Sequence, residues 1–333
     1  MNYEHDHPFI PAHHQLSLLI DLARQYHLDD HILLSGSGLF LQDILSANKK
    51  ISYLQFMTVL NNAKAHFHSD DIRFLFGGRC LTTPFNHALK SILYAQNFEQ
   101  ALNRCLEFHA LVCPWLTPKI MKNHQEIIIY WLNVPRNNDG LFLLEMSMSA
   151  FKALSREILA EKVTWQFDFN SDEPEYIEQY WSHLGDQLHF KQPISCMRLS
   201  IDYLQKPLPQ HSFTLSSTCY IQAQHDIEKY QLQHSFLEAI YRYLMQNIGQ
   251  GVSLDSTATY FSMSSATLKR KLKKHGTSFQ AQVDQCRLHT AMILQRVHGF
   301  NSEQIAHHLA IHDPTNFRRA FKRWCGLPLQ SLV

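Results

Sequence analysis

Apolar residues recur at helical spacing over residues 14–28, where Leu16, Leu19, Ile20 and Leu22 line one face and Tyr26 continues it. The same periodicity predicts helices over residues 52–65, 84–94, 98–112 and 141–159. Two segments break it. Residues 126–134 (EIIIYWLNV) and 162–170 (KVTWQFDFN) are rich in β-branched and aromatic side chains and too short for helices, so both are predicted strands. Residues 1–208 are therefore expected to form a mixed α+β domain. A polar, proline-bearing stretch from Lys206 to Ser212 marks its end, and residues 209–232 are expected to act as a linker. From Ser235 onward every pattern is helical, which predicts an all-α unit over residues 233–333.

Within that unit, residues 236–248 (FLEAIYRYLMQNI) form an amphipathic pattern followed by Gly249, a usual helix stop. Ser253 is placed to cap a second helix, with Leu254, Ala258 and Phe261 on its inner face. Ser264 is placed to cap a third, whose Leu268 and Leu272 repeat at i, i+4. That spacing predicts a helix, a short turn and a second helix. Ala266, Lys269, Arg270, Lys273 and Lys274 then fall on the outer face, where cationic side chains suit guanine edges and phosphates and a small residue allows close approach to DNA. The layout returns about 49 residues later. Ser302 is the expected cap of a helix carrying Ile305, Ala306 and Leu309, a turn follows at Ala310-Ile311-His312, and Asp313-Pro314 opens the next helix. There Phe317, Phe321 and Trp324 read as core, while Thr315, Asn316, Arg318, Arg319 and Lys322 are the expected DNA-facing residues together with Pro314. A long connector over residues 279–297, with Val283, Leu288, Ala291 and Leu294, joins the two units.

Charge sharpens this picture. The whole chain of 333 residues has a net charge of only +1, but residues 232–333 hold 12 Lys/Arg against 5 Asp/Glu, so the basic excess sits on the helical end. With 45% hydrophobic and 18% charged residues the composition is that of a packed globular protein. The N-terminus shows no secretory pattern and no apolar run is long enough to span a bilayer, so a cytoplasmic location without membrane contact is expected. Seven scattered cysteines without a CxxC pair read as reduced, mostly buried thiols.

Residues 254–326 resemble the DNA-binding domain of the AraC/XylS family. The likeness is carried by Ser264, Leu268, Arg270, Leu272, Gly276, Ser278-Phe279, Arg287, Ala291, Leu294, Ile305-Ala306, Leu309, Asp313-Pro314, the run Phe317 to Trp324, and Gly326. It implies about seven helices carrying two helix-turn-helix units, with base-facing sites at Ala266, Lys269 and Arg270 and at Thr315, Asn316 and Arg319. The N-terminal part, through Gly38-Leu39-Phe40, residues 53–94, the two strands and the segment from Phe190 to Pro209, resembles the arabinose-binding-type sensor domain of the arginine and ornithine regulator subgroup. These resemblances imply a transcription regulator, an activator rather than a repressor. Its implied partners are promoter DNA, RNA polymerase, a second copy of the chain, and a small-molecule effector of amino acid, sugar or fatty acid class. Two departures from the family pattern, Ala310 where glycine is usual and the shortened end at Gly326-Leu327-Pro328, predict a weaker second reader.

Other chemistry finds little support. None of the 22 histidines forms a spacing typical of a metal site, and the adjacent His307 and His308 point to different helix faces. No nucleophile-elbow, metalloprotease or phosphate-loop pattern occurs, and Ser35-Gly36-Ser37-Gly38 reads as a turn. Neither cofactor nor metal is expected. Two alternatives stay open: a sensor-like domain that is a ligand-free interaction module, and a DNA-repair fusion with a reactive cysteine, which the dispersal of Cys80, Cys105, Cys113 and Cys196 disfavours.

Overall fold

The computed structural model describes residues 3–67, 70–135, 137–232, 235–311 and 313–329. Its N-terminal part contains β1 (Ile10–Pro11), α1 (Gln15–Gln25), α2 (Asp30–Leu33), α3 (Leu41–Leu45), β2 (Lys50–Ile51), α4 (Tyr53–His66), α5 (Ile72–Cys80), α6 (His87–Leu93), α7 (Phe98–Glu107), α8 (His109–Val112), β3 (Thr117–Lys122), β4 (Glu126–Leu132), α9 (Asn138–Leu159), β5 (Gln166–Asp168), α10 (Ile177–His183), β6 (Leu188–His189) and β7 (Cys196–Ser200). The five-stranded sheet runs β3-β4-β7-β5-β6, antiparallel except for the β5–β6 pair. Both sequence-predicted strands are present, the second shortened to three residues. β3 and β7 were not read from the sequence. Each is short, with charged residues interrupting its apolar positions, and each is completed by pairing with β4.

The unbroken apolar run of β4 has a tertiary cause. Side chains alternate across a strand. Ile127, Ile129 and Trp131 join the N-terminal core, while Ile128, Tyr130 and Leu132 on the other face join the core of the C-terminal unit. Both faces of this strand are covered. Beneath the sheet, α5 packs on α9 so closely that a Cβ at Gly77 would lie 2.2 Å from the Met146 carbonyl oxygen. In the same layer the guanidinium of Arg73 donates to Glu145 (2.8 Å), Tyr176 (2.5 Å) and Asp70 (2.6 Å). Glu145 also accepts from the Tyr180 hydroxyl. Burial pushes the Glu145 carboxyl up from its ordinary range against the pull of Arg73.

The segment expected as a linker is largely ordered as a helix, α11 (Phe213–Tyr230), capped by Ser212 and packed along α6. Arg104 fastens it by donating to the Ser91 carbonyl (2.5 Å) and to the Ser216 hydroxyl. The C-terminal unit follows as α12 (Phe236–Asn247), α13 (Leu254–Tyr260), α14 (Ser265–Lys274), α15 (Phe279–Arg296), α16 (Ser302–His308) and α17 (Pro314–Cys325). Helices α12 and α15 lie against the outer face of the sheet. Around the apolar seam, Lys119 pairs with Glu238 (2.8 Å), Gln282 donates to Asn133 (2.8 Å) and Arg296 pairs with Glu126 (3.3 Å). At its centre the His289 ring of α15 meets Tyr130 edge-on and lies 3.0 Å from the Tyr241 hydroxyl.

Candidate nucleic-acid interface

The first unit is built as its spacing predicts. The Ser253 hydroxyl accepts from Ser256 N at the start of α13, and the Ser264 hydroxyl accepts from Thr267 N at the start of α14. Leu268 and Leu272 are fully buried, which turns Ala266, Lys269, Arg270, Lys273 and Lys274 to solvent. Leu254 and Phe261 are only half-buried, and Phe261 ends α13 rather than packing from within it.

In the second unit the cap is corrected by one residue. The Asn301 side chain, not Ser302, accepts from the backbone of Glu303 and Gln304, both at 3.0 Å, and Ser302 is the first helical residue. Asp313 accepts from Thr315 N (2.9 Å) and Pro314 opens α17. Phe317 and Phe321 are fully buried and contact Trp324, so these three aromatics are core. Thr315, Asn316, Arg318, Arg319 and Lys322 are exposed on the opposite side, with Arg323 beside them. Sequence reading passed over Arg323, although it lies one helical turn beyond Arg319. Pro314 is half-buried and lines a groove toward Gly249.

The turns of the two units are superimposable in their hydrogen bonding. Ser262 (φ 54°) and Ala310 (φ 54°) both sit in the left-handed region. The amide that follows each bonds back to the preceding helix at 2.9 Å, Met263 N to Ala258 O and Ile311 N to Ala306 O. The penalty expected for Ala310 alone is thus shared by the first unit, and it provides no ground for ranking the readers. The expected turn residue His312 and the last four residues of the chain lie outside the described residues.

Among the described residues, Lys269, Arg270, Lys273, Arg318, Arg319 and Lys322 form no ion pair. Lys271 and Lys274 differ. Glu4, itself buried, pairs with both, and Asp6 pairs with Lys274. The connecting stretch is held on both sides: Tyr3 O accepts from Phe236 N (3.0 Å), and the His5 ring lies between Tyr53 and His275. Of the cysteines, Cys80, Cys105, Cys113, Cys196 and Cys286 are buried, and burial pushes each of these thiols well up, away from nucleophilic character.

Two helices, each opened by a side-chain cap, preceded by the same turn and basic on the exposed face, are suited to a polyanionic duplex. Residues 257–332 match the helix-turn-helix domain family, and residues 28–208 match the family described as the arabinose-binding domain of AraC transcription regulators, N-terminal. The chain is 21% identical over 310 residues to an ornithine utilization regulator of Pseudomonas aeruginosa, covering 92% of this chain and 91% of that one. It is 27% identical over 96 residues to the regulator GadX of Escherichia coli, covering 29% of this chain and 35% of that protein. The crystal structure of the regulator CdpR from Pseudomonas aeruginosa aligns over 99% of this chain and 98% of its own, with 13% identity and a TM-score of 0.48. The matched families and named relatives are transcription regulators, not enzymes. The chain belongs to the AraC family and is a DNA-binding transcription regulator with an effector-binding N-terminal domain of the arabinose-binding type.

Proposed function

We propose that this regulator reads a bipartite promoter sequence with α14 and α17 placed in successive major-groove turns. In this reading Ala266, Lys269 and Arg270, and Thr315, Asn316 and Arg319, face base edges. Lys273, Arg318 and Lys322 neutralise phosphate, Lys274 does so only when released from Glu4 and Asp6, and Pro314 sets the start of the second reader. The observation that carries it is the pair of identical turns presenting exposed cations without ion partners among the described residues. Footprinting of full-length protein on a promoter fragment tests it: two protected segments one helical turn apart are expected, and no preference for any fragment over bulk DNA overturns it.

Residues 1–208 serve as the regulatory domain, 209–232 as the connection and 233–333 as the DNA-binding domain of a cytoplasmic activator that contacts RNA polymerase. Regulation proceeds through a small effector, self-association, or both. Ornithine leads the amino acids to test because one relative is named for its use. Because Ile128, Tyr130 and Leu132 are covered by α12 and α15, thermal shift against amino acids, sugars and fatty acids belongs on the full chain. Self-association is supported by α11, which exposes Phe213 (74%), Leu215 (51%) and Ile221 (51%). Analytical ultracentrifugation checks it.

A further inference from the structure

Gly249 does not stop α12 in the manner its position suggests. A single 3-10 turn, Ile248–Gln250, continues past it, and the left-handed residue is Gly251 (φ 79°). Gly249 is needed for a different reason. A Cβ built on it would lie 2.7 Å from the backbone carbonyl oxygen of His308, the last residue of α16. Real Cβ atoms essentially never come so close, and a main-chain oxygen at a helix end cannot rotate away as a flexible side chain would. Relief to ordinary contact at 3.4 Å requires about 0.7 Å of movement.

This contact links the two helix-turn-helix units. The 3-10 turn leads into the first unit, α16 belongs to the second, and the covalent bridge between them is α15. Beside the contact lies a groove of about 840 Å³, lined apart from Gly249 by the second unit and the stretch leading into it, Phe300, Gln304, Ile311 and Pro314 among them. The turn after α16 is tied to the end of that helix by bonds from Ala310 N to His307 O (3.0 Å) and from Ile311 N to Ala306 O (2.9 Å) and runs directly into α17, so a shift of the helix end carries α17 with it. Base-edge hydrogen bonds tolerate only a few tenths of an ångström before weakening.

We propose that Gly249 is a positioning residue that sets the spacing between the two reader helices by letting the end of α12 close onto the end of α16. The proposal rests on the two-reader assignment above. Its test starts from a duplex enriched out of a randomised library by the full-length native protein, whose halves are assigned by the protection lost in R270A and R319A. Gly249→Ala is then compared with native protein on that duplex and on one whose second half is scrambled. Gly251→Asn serves as the control for backbone strain without a push on α16, since φ there is 79° but a Cβ meets nothing within 4 Å.

Gly249→Ala is expected to match native protein on the scrambled duplex but to lose at least about tenfold on the intact one. Part of that loss should return when one base pair is inserted or removed between the halves. Native-like affinity of Gly249→Ala on the intact duplex overturns the proposal, as does an equal loss on both duplexes accompanied by a lower melting temperature. Should the variant not fold, native protein decides: inserting one base pair must drop its affinity to that for the scrambled duplex, and undiminished binding removes the proposal. If native protein enriches no duplex at all, the two-reader assignment itself has failed.

Discussion

The ammonium of Lys274, on the outer face of the first reader helix, lies 2.7 Å from the Asp6 carboxylate at the far end of the chain. Glu4 stands 3.1 Å from the same ammonium and also engages Lys271. A duplex phosphate approaching Lys274 meets a site already held by two carboxylates. The double variant Glu4→Gln, Asp6→Asn is therefore expected to bind non-specific DNA on the order of fivefold more tightly at low salt. The dependence of affinity on salt should steepen by about one phosphate equivalent. Fluorescence anisotropy across a salt series measures both, and an unchanged slope would show that the ion pairs do not compete with DNA.

Reader side chains and phosphate contacts should separate by their sequence dependence. Arg270→Ala and Arg319→Ala are each expected to cost about 1–3 kcal/mol and relax preference at one position of the site. Lys273→Ala should weaken all sequences alike and reduce the salt slope by about one. Binding to a panel of single-base variants of the enriched duplex distinguishes the two behaviours.

Ser262 and Ala310 hold the same left-handed conformation in the two turns, which a glycine adopts without a Cβ clash. Ser262→Gly and Ala310→Gly are each expected to stabilise the protein by about 0.5–1 kcal/mol, a gain partly offset by the greater freedom of glycine in the unfolded chain. Urea unfolding checks this. A marked gain at Ala310 without one at Ser262 would restore an asymmetry between the units that their turn geometry does not show.

The Glu145 carboxylate is fully buried and depends on Arg73 for its compensating charge. Arg73→Met leaves it with the tyrosine hydroxyls alone and is expected to cost about 3–5 kcal/mol at neutral pH. The deficit should shrink in mild acid, because a protonated Glu145 no longer needs the guanidinium. Chemical unfolding of the variant at two pH values tests both parts.

Burial pushes the rings of His14 and His289 down to about 3 and that of His5 down to about 4. The folded state prefers these rings neutral, while the unfolded chain protonates them near 6.5. Their contribution is therefore complete above about pH 6.5 and is lost as pH falls toward about 3 for His14 and His289 and about 4 for His5, by about 2 kcal/mol per ring at pH 5. His289→Gln, whose side-chain amide can hydrogen-bond the Tyr241 hydroxyl in either direction, should reduce the pH slope of stability between pH 5 and 6.5 by up to one proton. A slope equal to that of native protein would show that His289 titrates normally.

The reader helices were legible because their information is local. Caps at Ser253, Ser264 and Asp313 act on amides two or three residues away, and the buried pairs Leu268–Leu272 and Phe317–Phe321 lie on adjacent turns of one helix. Even so, Asn301 and Ser302 both carry cap-competent side chains, and only backbone geometry selected Asn301. The strand at residues 126–132 was visible in composition, but its partner β7 lies about 70 residues on and has no apolar run of its own.

By itself the amino-acid sequence determined the two capped helix pairs, their basic outer faces and the family to which they belong, since each depends on spacings of a few residues. Only the tertiary structure decided that both faces of β4 are buried, that Glu4 and Asp6 hold Lys274, and that Gly249 meets the end of α16. Those relationships join positions tens to hundreds of residues apart. They follow from how finished helices and strands fill space against one another, which no short-range pattern encodes.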